Sequence, residues 1–192
     1  MSTDQTTGVV IDTANQRAPL TATPDQLMQM LKTIEKDILP KTEIEVANGN
    51  KVFGAGILDK DFQCIFADTN TETTCPIFHG EVKTIFAWSQ QTPAKDRGPI
   101  AQSSIFLSTH EPCCIPHDIA TMHELWGVNS YRKQTKYMST GCIMDMIAAL
   151  PEGDTKKELL DLQNKLLEDY DKLANKYHSE KAANENNSLV LG

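Results

Sequence analysis

A chain of 192 residues, 40% hydrophobic and 23% charged, has the balance of an ordinary globular domain and enough length to bury a core without staples. Its formal net charge is −8 and its Lys and Arg residues nowhere form a dense stripe, which argues against broad affinity for a nucleic acid polymer but leaves room for a small anionic substrate. No apolar run reaches the ~18 residues that cross a bilayer, and the first residues lack a secretory pattern, so the expected location is cytoplasmic, with the nucleus as an alternative.

Residues 1–22 are polar and aperiodic and are expected to form a poorly ordered N-terminal arm. Thr23 is placed to cap a helix that begins at Pro24. Leu27, Met28, Leu31, Ile34 and Ile38 then recur at helical spacing, and Pro40 is expected to end the run. Val52 to Leu58 and Phe62 to Ala67 read as two strands, joined into a hairpin by the turn Asp59-Lys60-Asp61. Asp68 to Thr74 is a polar loop. From Pro76 the pattern turns helical through Ile77, Glu81, Ile85, Phe86 and Trp88. Thr92 to Gly98 reads as a linker, and Ser104 to Thr109 as a short buried strand.

After Pro116 a helical pattern runs through His117 to Trp126, with Gly127 as its stop. Asn129 to Thr140 carries no clear pattern. A short helix spans Ile143 to Leu150, and Thr155-Lys156-Lys157-Glu158 has the form of a capping box opening a long helix over 155–178. Its Leu159, Leu162, Leu166, Tyr170, Leu173 and Tyr177 make a stripe that suits packing on the same domain, with a homodimer seam as the other possibility. Residues 179–192 read as a flexible tail. The whole is one α/β domain over 23–178, a mixed sheet with helices on both faces.

Two segments carry chemistry. His79-Gly80-Glu81 sits at the start of a helix, and the strand ending at Thr109 runs into His110-Glu111-Pro112-Cys113. An imidazole and two thiolates can hold zinc with a fourth position open to water, and the metal lowers that water's pKa towards ~7. A carboxylate two residues from the imidazole can take the proton without binding the metal and pass it on. Helix N-termini favour the thiolate form of a cysteine placed there.

The runs Pro76-Ile77-Phe78-His79-Gly80-Glu81-Val82-Lys83-Thr84-Ile85 and Ser104 to Cys113 resemble the first motif and the entry to the second motif of the zinc-dependent cytidine and deoxycytidylate deaminases, over about residues 24–113. The resemblance implies a three-layer α/β/α cytidine-deaminase-like fold, a Zn2+ cofactor, and hydrolytic deamination of a nucleobase, nucleoside or nucleotide. It makes His79 and Cys113 metal ligands and Glu81 the catalytic proton shuttle. Asn70 loosely matches a substrate-binding asparagine, although a turn asparagine accounts for it equally well.

The pattern then breaks. The family places a second cysteine three residues after Cys113, and that position is Pro116. Cys114 is the nominated third ligand, with His117 and His110 as alternatives; each has an obstacle. Neighbouring side chains on a helix diverge by about 100°, which disfavours Cys114 beside Cys113. Pro116 interrupts any single helix that would bring His117 onto the face of Cys113, and the direction of His110 off its strand is open.

Pro112 and Pro116 both look like first-turn helix prolines, as if two helix starts were fused. An internal deletion near Cys114, removing a core strand, is therefore expected. The alternative to an enzyme is a catalytically inactive interaction protein on the same scaffold. His117 and His123 read as surface helix residues, and Arg132, Lys133 and Lys136 as a solvated cluster. Cys64, Cys75 and Cys142 read as buried or inert thiols.

Overall fold

The computed structural model of the chain describes residues 21–110 and 136–190. The N-terminal arm lies almost wholly outside the described residues, as do the helix expected after Pro116 and residues Cys113, Cys114, His117, His123, Arg132 and Lys133.

Helix α1 (Pro24–Thr33) starts where its cap predicts. The Gln26 amide N–H donates to Thr23 Oγ1 at 3.3 Å, and the Thr23 N–H donates to Gln26 Oε1 at 2.9 Å, a reciprocal box that satisfies two otherwise orphaned donors. The helix does not stop at Pro40. It widens into a π-helical stretch (Ile34–Ile38), in which the Leu39 N–H reaches back five residues to the Ile34 carbonyl, and resumes as α2 (Leu39–Ala47). Resetting the hydrogen-bond phase puts Pro40 in the first turn of α2, where a missing N–H costs nothing.

Strands β1 (Gly54–Leu58) and β2 (Cys64–Thr69) form the expected hairpin. Asp59 Oδ1 accepts from the Asp61 and Gln63 amides at 2.9 Å each, and Phe62 takes the left-handed conformation at φ 63° that turns the chain back. Helix α3 (Gly80–Gln91) follows. The expected linker after it is instead the start of helix α4 (Ala94–Ser103). Gly98 and Pro99 hid this helix; tertiary packing of Ile100 and Ala101 against the sheet outweighs their low propensity.

Strand β3 (Ile105–Ser108) leads into the undescribed segment, and β4 (Lys136–Ser139), which the sequence reading missed, emerges from it. With four residues, β4 is too short to show a period. Helices α5 (Thr140–Ala148) and α6 (Asp154–Val190) complete the chain. Because α6 begins at Asp154, Thr155 lies inside its first turn and does not cap it.

The sheet order is β2-β1-β3-β4, with β1 antiparallel to both β2 and β3, and β3 parallel to β4. It is therefore mixed, and its side chains alternate between two helical layers. Ala55, Ile57 and Phe106 meet Ile85 and Trp88 of α3 and Ala101 of α4. Leu58, Ile105, Leu107 and Met138 face the other way, into a larger core shared with α1, α2, α5 and α6. The leucine and tyrosine stripe of α6 packs into this core, so it closes the chain's own domain.

Candidate active site

The carboxyl ends of β2, β3 and β4 lie along one edge of the sheet, beside the start of β1, as the strand pairings require. In open α/β sheets this is the edge where side chains and helix starts converge on ligands. Three of the residues singled out from sequence, Asn70, His79 and Glu81, arrive there from the end of β2 and the start of α3.

His79 is the N-cap of α3, and its carbonyl accepts the first helical bond, from Lys83 N at 2.8 Å. The helix can begin this close to the sheet because residue 80 is glycine. A methyl group on Gly80 would lie 2.5 Å from the Phe53 carbonyl oxygen and 2.9 Å from the Gly54 nitrogen. Thr84 Oγ1 ties the turn down by donating to the Gly80 carbonyl at 2.7 Å.

Glu81 is in the first turn of α3 and only 5% exposed. Ser108, the last residue of β3, places its hydroxyl 2.9 Å from both Glu81 Oε1 and the His110 carbonyl, which share its one proton. The carboxylate is thus held in one orientation at a helix end whose dipole favours negative charge. Sequence reasoning did not single out Ser108. Strand alternation was its one available signal, since a strand that buries Phe106 against α3 turns Ser108 to the same side.

The other part of the site is the loop from Asn70 to His79. Asn70 is fully buried; its Nδ2 donates to Glu72 Oε2 at 2.7 Å, and its Oδ1 accepts from the Glu72 and Lys51 amides at 3.1 and 3.3 Å. Glu72 in turn meets Lys51 Nζ at 3.0 Å and His79 Nε2 at 3.2 Å. Burial pushes the Glu72 carboxyl up, but the Asn70 amide and the Lys51 ammonium outweigh it and hold the group below the usual carboxylate range. Glu72 and Lys51 were not legible in the sequence, because each acts through a loop contact across the fold.

His110 goes elsewhere. Its ring packs edge-on between Phe53, at 4.8 Å between centroids, and Tyr170 of α6, at 5.5 Å, and its Nδ1 is 2.9 Å from Thr109 Oγ1. Those contacts put it on the α6 side of the sheet, whereas Ser108 and Glu81 meet on the α3 side. Cys64 and Cys75 are partly buried free thiols, and burial pushes Cys64 up to about 11. Cys142, in the first turn of α5, is an exposed free thiol.

No family model matches the chain, and no curated protein matches it.

The fit of a zinc ion is testable on the described part of the donor set. Among the described residues no three His, Cys, Asp or Glu side chains cluster as a metal cage, while Cys113 and Cys114 lie outside them. The imidazole half fits. A ligating histidine commonly donates its second ring N–H to a carboxylate, which fixes the tautomer, and Glu72 holds that position on His79 Nε2. No helix of the described residues is long and apolar enough to cross a membrane.

Proposed function

We propose that the chain is a cytidine-deaminase-like, zinc-dependent hydrolase that replaces the amino group of a nucleobase, nucleoside or nucleotide with oxygen. The observation that carries this reading is Glu81, a buried carboxylate held by Ser108 two residues from a histidine at the N-terminus of α3. An amidine carbon exchanges its C–N bond for a C–O bond, water supplies the oxygen, and ammonia leaves. The carboxylate carries both protons of the attacking water in turn: the first passes to the ring nitrogen, and the second, released as the new hydroxyl becomes a carbonyl, passes to the departing amino group, which leaves as ammonia.

His79 and Cys113 would hold the zinc, with Cys114 as the nominated third ligand. The ion supplies Lewis acidity that makes water a nucleophile near neutral pH. Glu72 orients His79 through Nε2, Ser108 orients Glu81, and Asn70 is the residue proposed to meet substrate from the adjoining loop. The negative net charge and the absence of a basic stripe support a small-molecule substrate in preference to a nucleic acid polymer.

The test is ammonia release from zinc-replete full-length protein, across a panel of aminated bases, nucleosides and monophosphates. Turnover of at least one member is expected, with Glu81→Gln losing about 10²- to 10⁴-fold in kcat. Ser108→Ala should lose about 10- to 100-fold, the worth of a hydrogen bond to a charged group. Turnover unchanged in Glu81→Gln would remove Glu81 from the mechanism.

A second reading is an inactive interaction protein on the same scaffold. It is favoured by the closure of the loop network on itself, with the Asn70 oxygen taken up by two backbone amides. A folded, zinc-replete chain that turns over no panel member would support it.

A further inference from the structure

Behind the active-site edge, on the α6 side of the sheet, lies a cavity of about 100 Å³. Its walls are Leu31 and Ile34 of the first helix and Leu166 of α6, closed at the sheet end by Thr109, His110 and Thr140. Two polar atoms in its lining lack partners. Gln163 is 7% exposed and its Oε1 accepts no hydrogen bond, and the buried Tyr170 hydroxyl makes none that meets hydrogen-bond geometry, although the Thr42 and Thr109 hydroxyls are nearby. A buried acceptor left unpaired is costly, and native structures seldom keep one beside an empty space without something to fill both.

The chemistry of the lining defines the occupant. Engineered apolar cavities of about 150 Å³ take up a benzene ring, so a single five- or six-membered ring is the upper limit here. No Asp, Glu, Lys or Arg lines the cavity among the described residues, which selects against a charged guest. The rings of His110 and Tyr170, already edge-to-face at 5.5 Å, offer an aromatic guest further contacts of the same kind. The unpaired Gln163 Oε1 requires a donor.

We propose that this cavity binds a small, uncharged five- or six-membered aromatic ring that carries one N–H or O–H donor, accepted by Gln163 Oε1. It is a site separate from Glu81 and does not depend on the deaminase reading. Through His110, which also packs on Phe53, an occupant would be in contact with the residue against which α3 begins.

Pyrrole and furan test the proposal directly, since they share size and shape and differ in the N–H donor. Amide shifts of Thr109, His110, Thr140 and Gln163 in the full chain should saturate with pyrrole, and pyrrole should bind about three- to tenfold more tightly than furan, the worth of one neutral hydrogen bond. Gln163→Leu should bring that ratio close to 1. Leu167→Trp, at a rim position 37% exposed, should weaken both rings about tenfold or more while the fold stands. Equal binding of the two rings by the unmodified chain would overturn the proposal. So would shifts that never saturate, or ordered waters on Gln163 Oε1 that neither ring displaces.

Discussion

A methyl group has no room at position 80. Gly80→Ala should push the start of α3 off the Phe53 carbonyl and cost about 1–3 kcal/mol, the usual penalty for overpacking, read as a lowered denaturant midpoint with unchanged m. Wild-type stability in that variant would mean that α3 does not approach the sheet so closely. At His110 the sign follows from burial, which lowers its pKa below the ordinary 6.5. As pH falls through 6.5 the unfolded chain takes up the proton first, so stability present above that pH is lost as the pH drops towards the folded value. His110→Phe should flatten the fall in melting temperature between pH 7 and 5, and an unchanged slope would contradict this. His79 and Glu81 were legible because their spacing along the chain is itself the signal. Glu72 and Ser108 were not, since their roles arise only when the loop after β2 and the end of β3 are brought to α3.

Local rules carried the elements as far as local chemistry decides them. Thr23, Pro24 and Gln26 announce the start of α1, and Thr23→Ala should cost about 1 kcal/mol in thermal unfolding; a loss near zero would mean the box contributes nothing. The hairpin turn was legible for the same reason, with Asp59 accepting from the two amides beyond it. Where an element depends on the rest of the fold, sequence pattern failed. Pro40 looks like a stop until the π-helical stretch changes the phase ahead of it. Gly98 and Pro99 look like a linker until Ile100 and Ala101 find the sheet, and β4 is too short to announce itself.

For the whole molecule, the expected α/β mixed sheet stands, with helices against both faces. Phe106 of β3 is fully buried on the α3 side, and Phe106→Ala should destabilise the chain by about 3–5 kcal/mol in denaturant unfolding; a loss under 1 kcal/mol would place it outside the core. Strand β4 lies parallel to β3, the two joined through residues 109–135, a span above the dozen or so that a parallel crossover needs. The fused helix starts at Pro112 and Pro116, on which the expected deletion rests, lie outside the described residues. The reading of this fold as a deaminase rests on a metal gripped by His79 and Cys113 beside Glu81. Elemental analysis of the purified, folded full-length chain is the most direct check. The account predicts about one zinc per chain, reduced at least tenfold in His79→Ala; a folded chain without stoichiometric zinc, or one whose zinc survives His79→Ala, would contradict it.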